Sequence, residues 1–260
     1  MMQVKSALRL ARNLFQHRFG TCTICGMRTV FLAFDTGSAP HAREQFHCAV
    51  CKSVSRHRHV ALEMLRAFER KEVSLQEALP FFRNLKIYSA SSGDAISQVL
   101  GKNNPNYVIS EYFPDTPLGA EKNGVQCQNL EALTFKDTSF DLVITEDVLE
   151  HVVNVKKALS EIHRVLKQGG FHIFTVPLLL DSPTIERAVV EENGNIKHLL
   201  PPEYHGDPIR GEILAFRTFG YDIFGMLSDI GFSARLSPTF FQMTLKHAIA
   251  DSYVVVSQKR

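Results

Sequence analysis

Four cysteines fall into two pairs of identical spacing, Cys22-Thr23-Ile24-Cys25 and Cys48-Ala49-Val50-Cys51, with 22 residues between them. A C-x2-C pair wraps a tight turn, so its two thiolates converge on one side. Two such turns close a tetrahedral four-sulfur site, which suits Zn²⁺ at sulfur distances of about 2.3 Å. The spacing therefore predicts a zinc ribbon, with a strand over residues 29–35 and a turn at residues 37–40 between the pairs. A closed four-cysteine site has no open position, so it predicts a structural metal and not a catalytic one. Redox chemistry is the rival for a single C-x2-C, and the matched second pair argues against it. His47 adjoins Cys48 and is an alternative ligand that the fourth cysteine makes unnecessary. Cys127 is outside the pattern and reads as a small buried apolar residue.

A second set of residues with chemical potential lies in Pro201-Pro202-Glu203-Tyr204-His205-Gly206-Asp207-Pro208. The prolines restrict the backbone and the glycine permits a tight turn, so the segment reads as a rigid loop. His205, with an ordinary pKa of about 6.5, is a candidate general base that Asp207 would orient. Tyr204 is a candidate acceptor-binding residue. The bland alternative is a structural loop whose histidine caps something. His151 is the other candidate base. The basic run Arg56-His57-Arg58-His59 precedes an amphipathic helix expected over residues 60–70, where it either meets an anion or is solvated.

These residues need elements to position them. The chain has 260 residues, 45% of them apolar and 22% charged, with a formal net charge of +2. That mix excludes disordered and collagen-like chains. No run of about 18 apolar residues exists, so no membrane-spanning helix is expected. Residues 1–80 hold 12 Lys/Arg against 6 Asp/Glu, and residues 81–260 hold 17 against 21. Four thiolates and one Zn²⁺ would add −2, which leaves a modestly basic N-terminal region and a chain near neutrality. Residues 1–20 lack acids. They read as a short surface helix with Val4, Leu8, Ala11 and Phe15 in one stripe, a transit segment being the alternative. The interrupted apolar runs give no secretory signal, and reduced thiols then point to a cytoplasmic protein.

From Phe81 onward, short apolar runs alternate with helical segments. Strands are expected at 85–89, 107–110, 125–128, 141–145, 171–176, 232–236 and 253–257. Helices are expected at 94–100, 155–166 and 219–230, with Gly169-Gly170 and Gly231 as stops. This alternation predicts an α/β domain with a mostly parallel sheet, whose ligands sit beyond the carboxyl ends of the strands. The expected division is 1–80 for the ribbon and a connecting helix, and 81–260 for the α/β domain.

Residues 134–143 (TFKDTSFDLV) resemble the "LPF-x-D-x-SFDLV" segment of class I S-adenosylmethionine-dependent methyltransferases of the type 11 kind. Residues 148–152 (VLEHV) resemble their "LEHV", and residues 158–170 (ALSEIHRVLKQGG) their "AL-x-E-x-x-RVLKPGG". The resemblance implies a Rossmann-like, mostly parallel seven-stranded sheet, here preceded by the zinc ribbon. It also implies S-adenosyl-L-methionine as cofactor. The glycine-rich loop after the first strand is represented by Ser89-Ala90-Ser91-Ser92-Gly93-Asp94, with a single glycine, and Ser89 stands where the family has an acid. Ser89, Ser91, Ser92 and Gly93 are then the cofactor loop. Glu111 ends the second strand, where an acid accepts from a ribose diol, and Tyr112 follows it. Asn129 takes the place of an adenine-contacting Asp, able to accept from the amine and donate to a ring nitrogen. Leu130 would pack on the adenine. Glu146 lies at the cleft mouth, lining the sulfonium side or capping the next helix.

The resemblance leaves the acceptor open. The insertion at 177–217 lies where this superfamily often covers its substrate, and Tyr204 there could shield a sulfonium by a cation–π contact. The expectation is a methyltransferase acting on a small molecule or sugar. An RNA methyltransferase using the ribbon is the alternative, although Phe31, Phe34 and Phe46 are its few aromatics for stacking. A non-catalytic binding protein on a decayed fold is the third.

Overall fold

The computed structural model describes residues 17–33, 42–207 (of Asp207 the backbone only) and 211–260. The expected N-terminal stripe, Phe34 and the turn at 37–40 lie outside the described residues. The chain forms two compact units. One comprises Met1–Asn84, Gly93–Pro105 and Ser237–Val254, and the other Leu85–Ser92, Asn106–Leu236 and Val255–Arg260. The cysteine-bearing unit is thus discontinuous, with residues 93–105 and 237–254 added to its N-terminal part.

In that unit, β1 (Arg18–Thr21), β2 (Arg28–Leu32) and β3 (His47–Cys48) form an antiparallel sheet. Helix α1 (Ser55–Ala67) starts five residues before the expected position. Its apolar face, Val60, Ala61, Met64 and Leu65, is buried as the period demands. The early start has a physical reason: Arg58 and His59 are buried too and find partners inside the unit. Short helices α2 (Leu79–Phe82) and α3 (Ala95–Leu100) follow, the latter capped by the Asp94 carboxylate accepting from Ser97 N–H at 2.7 Å.

The second unit is built on one eight-stranded sheet. Its strands are β4 (Ile87–Ser89), β5 (Tyr107–Glu111), β6 (Glu121–Lys122), β7 (Val125–Cys127), β8 (Phe140–Glu146), β9 (Leu166–Thr175) and, after the insertion, β16 (Phe232–Pro238) and β17 (Tyr253–Lys259). Their order is β16-β17-β9-β8-β4-β5-β7-β6. The pairs β4–β5, β4–β8, β5–β7 and β8–β9 are parallel, and β17–β9 and β6–β7 antiparallel. The seven expected strands are all present. The eighth, β6, is a two-residue edge strand hairpinned onto β7 through Asn123 and Gly124, both at positive φ. Strands β8 and β9 are apolar and buried along most of their length, as central parallel strands must be.

Helix α4 (Val155–Val165) buries Val155, Ala158, Leu159, Ile162 and Val165 on one stripe and is capped by Asn154. It stops earlier than Gly169-Gly170 predicts, because Leu166 already pairs with Phe140 in the sheet. The two glycines instead form a bulge in β9. Gly169 has a φ of +75°, and a Cβ on Gly170 would come within 2.9 Å of the Lys167 carbonyl. Helix α5 (Ile223–Ile230) does end at a left-handed glycine, Gly231.

The insertion is not a loop. It holds β10 (Ile185–Glu186), β11 (Ala188–Val190), β12 (Ile196–His198), β13 (Tyr204–Asp207), β14 (Gly211–Leu214) and β15 (Arg217–Thr218), paired as β10–β15, β11–β12 and β13–β14. The expected rigid loop at 201–208 is therefore largely strand β13: its prolines lie outside Tyr204–Asp207 and leave those residues' N–H groups available for pairing. Helix α6 (Phe241–His247) belongs to the cysteine-bearing unit, where the Thr21 carbonyl accepts from His247 Nδ1 at 2.7 Å. Among the described residues no helix is long and apolar enough to cross a membrane.

Candidate functional site

The two cysteine pairs meet. Cys22 Sγ is 3.7 Å from Cys51 Sγ, and Cys25 Sγ is 3.8 Å from Cys48 Sγ. A tetrahedron with Zn–S arms of about 2.3 Å has edges of about 3.8 Å, so the donor set fits one zinc ion. Each pair forms the same kind of turn. Gly26 N–H donates to Cys22 O at 2.9 Å, and Lys52 N–H to Cys48 O at 3.0 Å. The residue after each second cysteine, Gly26 or Lys52, has a positive φ. Burial pushes the Cys25 thiol up to about 11, while close thiols and Ser53 hold Cys51 well below the ordinary range. Four sulfurs at these separations are a donor set that one shared cation would bind. Cys127 is buried and apart from the cluster, its thiol near the Phe113 and Thr116 carbonyls.

The basic run behind the second pair turns inward. Arg58 is fully buried and donates to the carbonyls of Ser53, His247 and Ala248. Its guanidinium lies 4.3 Å from the Phe31 ring centroid. Ser53 Oγ lies 3.4 Å from Arg58 Nη1 and 3.5 and 3.3 Å from the sulfurs of Cys22 and Cys51. Burial lowers the Arg58 pKa to about 10, the neighbouring cysteine sulfurs opposing the drop, and its guanidinium would be a buried countercharge to cysteines held as thiolates. Arg56 pairs with Glu44 at 2.7 Å, and Phe31 is 0% exposed. Neither Arg58 nor Phe31 is available to an external anion or base.

In the sheet unit, parallel strands β4, β5, β7 and β8 place their carboxyl ends on one edge. That edge carries the candidate cofactor residues. Glu111 is the last residue of β5, and its Oε1 accepts from both the N–H and the hydroxyl of Ser92, each at 2.9 Å. The serine-rich loop thus grips the acid directly. Ser89 is buried and donates to Ser91 O at 3.3 Å, so it does not replace the acid the family pattern has there. Gly93 belongs to the other compact unit and has a φ of +81° with open space where a Cβ would be. Asn129 follows β7, and its Oδ1 accepts from Glu131 N–H at 2.9 Å. That places one lone pair of the amide oxygen in an Asx turn and leaves the second lone pair and the Nδ2 donors for other partners. Leu130 is buried in the core, Glu146 is buried at the end of β8, and Tyr112 is exposed.

The insertion brings His205 beside two glutamates. His205 Nδ1 is 3.6 Å from Glu150 Oε1, and its Nε2 is 3.1 Å from Glu203 Oε1. The Glu150 carboxylate, and then that of Glu203, raise His205 to about 9, so at neutral pH it holds a proton instead of taking one. The His151 ring stands 5.0 Å from that of His205, and its Nδ1 donates to Leu214 O at 2.8 Å. Tyr204 precedes His205 on a strand, so its side chain lies on the opposite face, 52% exposed. It cannot join His205 in one constellation. The side chain of Asp207 lies outside the described residues.

Glu150 and Arg217 are the residues sequence reasoning missed. Arg217 is buried and donates to the carbonyls of Leu149, Val152 and Val153 and to the Glu186 carboxylate. Glu150 stands inside the "LEHV" segment, and its charge among apolar neighbours was the available signal.

This strand order is that of an α/β domain built on a large, mostly parallel sheet. Residues 106–174 match the family model described as a methyltransferase domain, so the chain carries a segment of that kind through β5 to β9. The chain is 51% identical over 57 residues to the ubiquinone/menaquinone biosynthesis C-methyltransferase UbiE of Hydrogenovibrio crunogenus (20% of this chain, 22% of that one). It is 31% identical over 84 residues to the sarcosine/dimethylglycine N-methyltransferase of Aphanothece halophytica (30% of each). The matches span between 18% and 30% of the length of the curated relatives. Among solved structures, the S-adenosylmethionine-bound CalS10, an amino pentose methyltransferase from Micromonospora echinaspora, aligns with a TM-score of 0.44 at 12% identity, over 75% of this chain and 90% of that one.

Proposed function

We propose that this protein is an S-adenosylmethionine-dependent methyltransferase acting on a small molecule or sugar, with a structural zinc ion in its four-cysteine cluster. The observation that carries the proposal is the coincidence of the methyltransferase-domain match with the residues at the strand ends, above all Glu111 gripped by Ser92. The cofactor supplies an activated methyl group, so the protein's task is alignment. Glu111 accepts from the ribose hydroxyls, Asn129 donates to the adenine, and Leu130 covers its face. Ser91, Ser92 and Gly93 shape the loop beside the cofactor, with Tyr112 and Glu146 at the rim. We place His205, beside Glu150 and Glu203, on the acceptor side of the site. The burial of Arg58 and Phe31 favours this acceptor class over RNA. Cytoplasmic residence is part of the same proposal, because it keeps the four thiolates reduced.

Calorimetry with S-adenosylhomocysteine on the zinc-loaded chain tests the proposal. One site per chain is expected. No heat from a folded, zinc-replete sample would sink it.

A further inference from the structure

Glu150 is fully buried, and neither of its carboxylate oxygens has a hydrogen-bond partner. Two imidazole nitrogens face it: His205 Nδ1 at 3.6 Å and His151 Nε2 at 3.9 Å from Oε1. Both separations exceed hydrogen-bond length. Each ring spends its other nitrogen on an oxygen acceptor, His151 Nδ1 on the Leu214 carbonyl at 2.8 Å and His205 Nε2 on Glu203 at 3.1 Å. Those acceptors require N–H groups, so in the neutral rings the nitrogens facing Glu150 carry lone pairs. With the His205 ring neutral, three lone-pair donors converge on one buried space. Metal-binding histidines show this same pattern, with the distal N–H tied to a carbonyl or carboxylate.

We propose that Glu150, His151 and His205 form a second metal site, for a divalent first-row transition ion held by two nitrogens and one carboxylate. The ligand atoms lie within 4.8 Å of one another. Arms of about 2.1 Å would place neighbouring ligands about 3.0–3.4 Å apart, so closure from separations of 3.6, 3.9 and at most 4.8 Å needs shifts of up to about an ångström. The His205 side chain, 29% exposed, sits on a hairpin that can supply them. Asp147 contributes negative charge nearby. The ion would take the place of the His205 proton. Three protein ligands leave coordination positions open, suited to an oxygen-rich acceptor such as a vicinal diol or hydroxy acid. That acceptor role rests on the methyltransferase proposal, whereas the cation site stands on its own geometry.

The test titrates Mn²⁺ into the full chain with zinc already in the cysteine site, reading free Mn²⁺ by electron paramagnetic resonance. Mn²⁺ prefers oxygen and nitrogen donors and does not compete for thiolates. One Mn²⁺ per chain is expected, with affinity at least about tenfold weaker in E150Q and in H205Q. Circular dichroism with a cooperative melting transition reports that each variant is folded. Absence of Mn²⁺ uptake up to millimolar concentration, or equal uptake by wild type and both folded variants, overturns the cation site. Mn²⁺ uptake without S-adenosylhomocysteine binding would instead keep the site and remove the methyltransferase proposal.

Discussion

His205 faces Glu150 across 3.6 Å because the turn after β8 and the β13–β14 hairpin are tied together by backbone and side chain. Phe216 N–H donates to the Glu150 carbonyl at 2.8 Å, and His151 reaches the Leu214 carbonyl. Arg217 closes the other side of the turn, with Leu149, Val152 and Val153 as its carbonyl acceptors. The insertion is thus the element that sets where Glu150 and His151 point.

Arg217→Ala is expected to cost about 3 kcal/mol, because it leaves several buried carbonyls unpartnered. Arg217→Lys should recover only part of this, since an ammonium cannot reproduce the planar fork that serves three carbonyls and Glu186. Urea unfolding measures both. A loss below about 1 kcal/mol in the alanine variant would show that the turn holds itself.

Glu111→Ala should weaken S-adenosylhomocysteine binding by about 100-fold, the loss of a charge-assisted pair of hydrogen bonds worth about 3 kcal/mol. Ser92→Ala removes only the hydroxyl contact and leaves the backbone N–H contact, so a few-fold loss is expected. Equal losses in the two variants would mean that Ser92, and not Glu111, meets the ligand.

The sheet was largely legible because its strands are buried on both faces and read as continuous apolar runs, as in 140–146. The cysteine site was legible for a different reason: its ligands are near neighbours in pairs, so spacing alone encodes geometry. Arg58 was misread, since a basic run looks alike whether it meets water or a buried thiolate cluster. The Glu150–His205 pairing depends on a hairpin docking onto a turn, a contact without local period. The prolines around 204–207 masked a strand, because they flank it and leave its own N–H groups free to pair.

Zinc should be present at one ion per chain, and its removal by a strong chelator should unfold the cysteine-bearing unit, lowering the first melting transition by about 10 °C or more. Arg58→Gln is expected to weaken zinc affinity by about 10–100-fold, because the thiolate cluster loses its buried countercharge. Competition with a chromophoric chelator measures this. Unchanged affinity in the variant would reduce Arg58 to a packing residue.

His172 supplies the last prediction. It is fully buried, stacked on Phe174 at 4.4 Å, with its Nε2 3.0 Å from Thr145 Oγ1. Burial alone, with no charged group among the causes, depresses it to about 3. In the unfolded chain the same ring titrates near about 6.5. Between these values the unfolded state binds a proton that the folded state refuses, so stability is full above about pH 6.5 and falls as the pH drops towards 3. The slope is about 1.4 kcal/mol per pH unit, or about 2 kcal/mol from this residue at pH 5. His172→Phe keeps the stacking and removes the titration. Its stability should therefore change less than that of the wild type between pH 7 and pH 5, by about 2 kcal/mol in urea unfolding. Parallel pH profiles for the two proteins would show that the ring is protonated in the folded core.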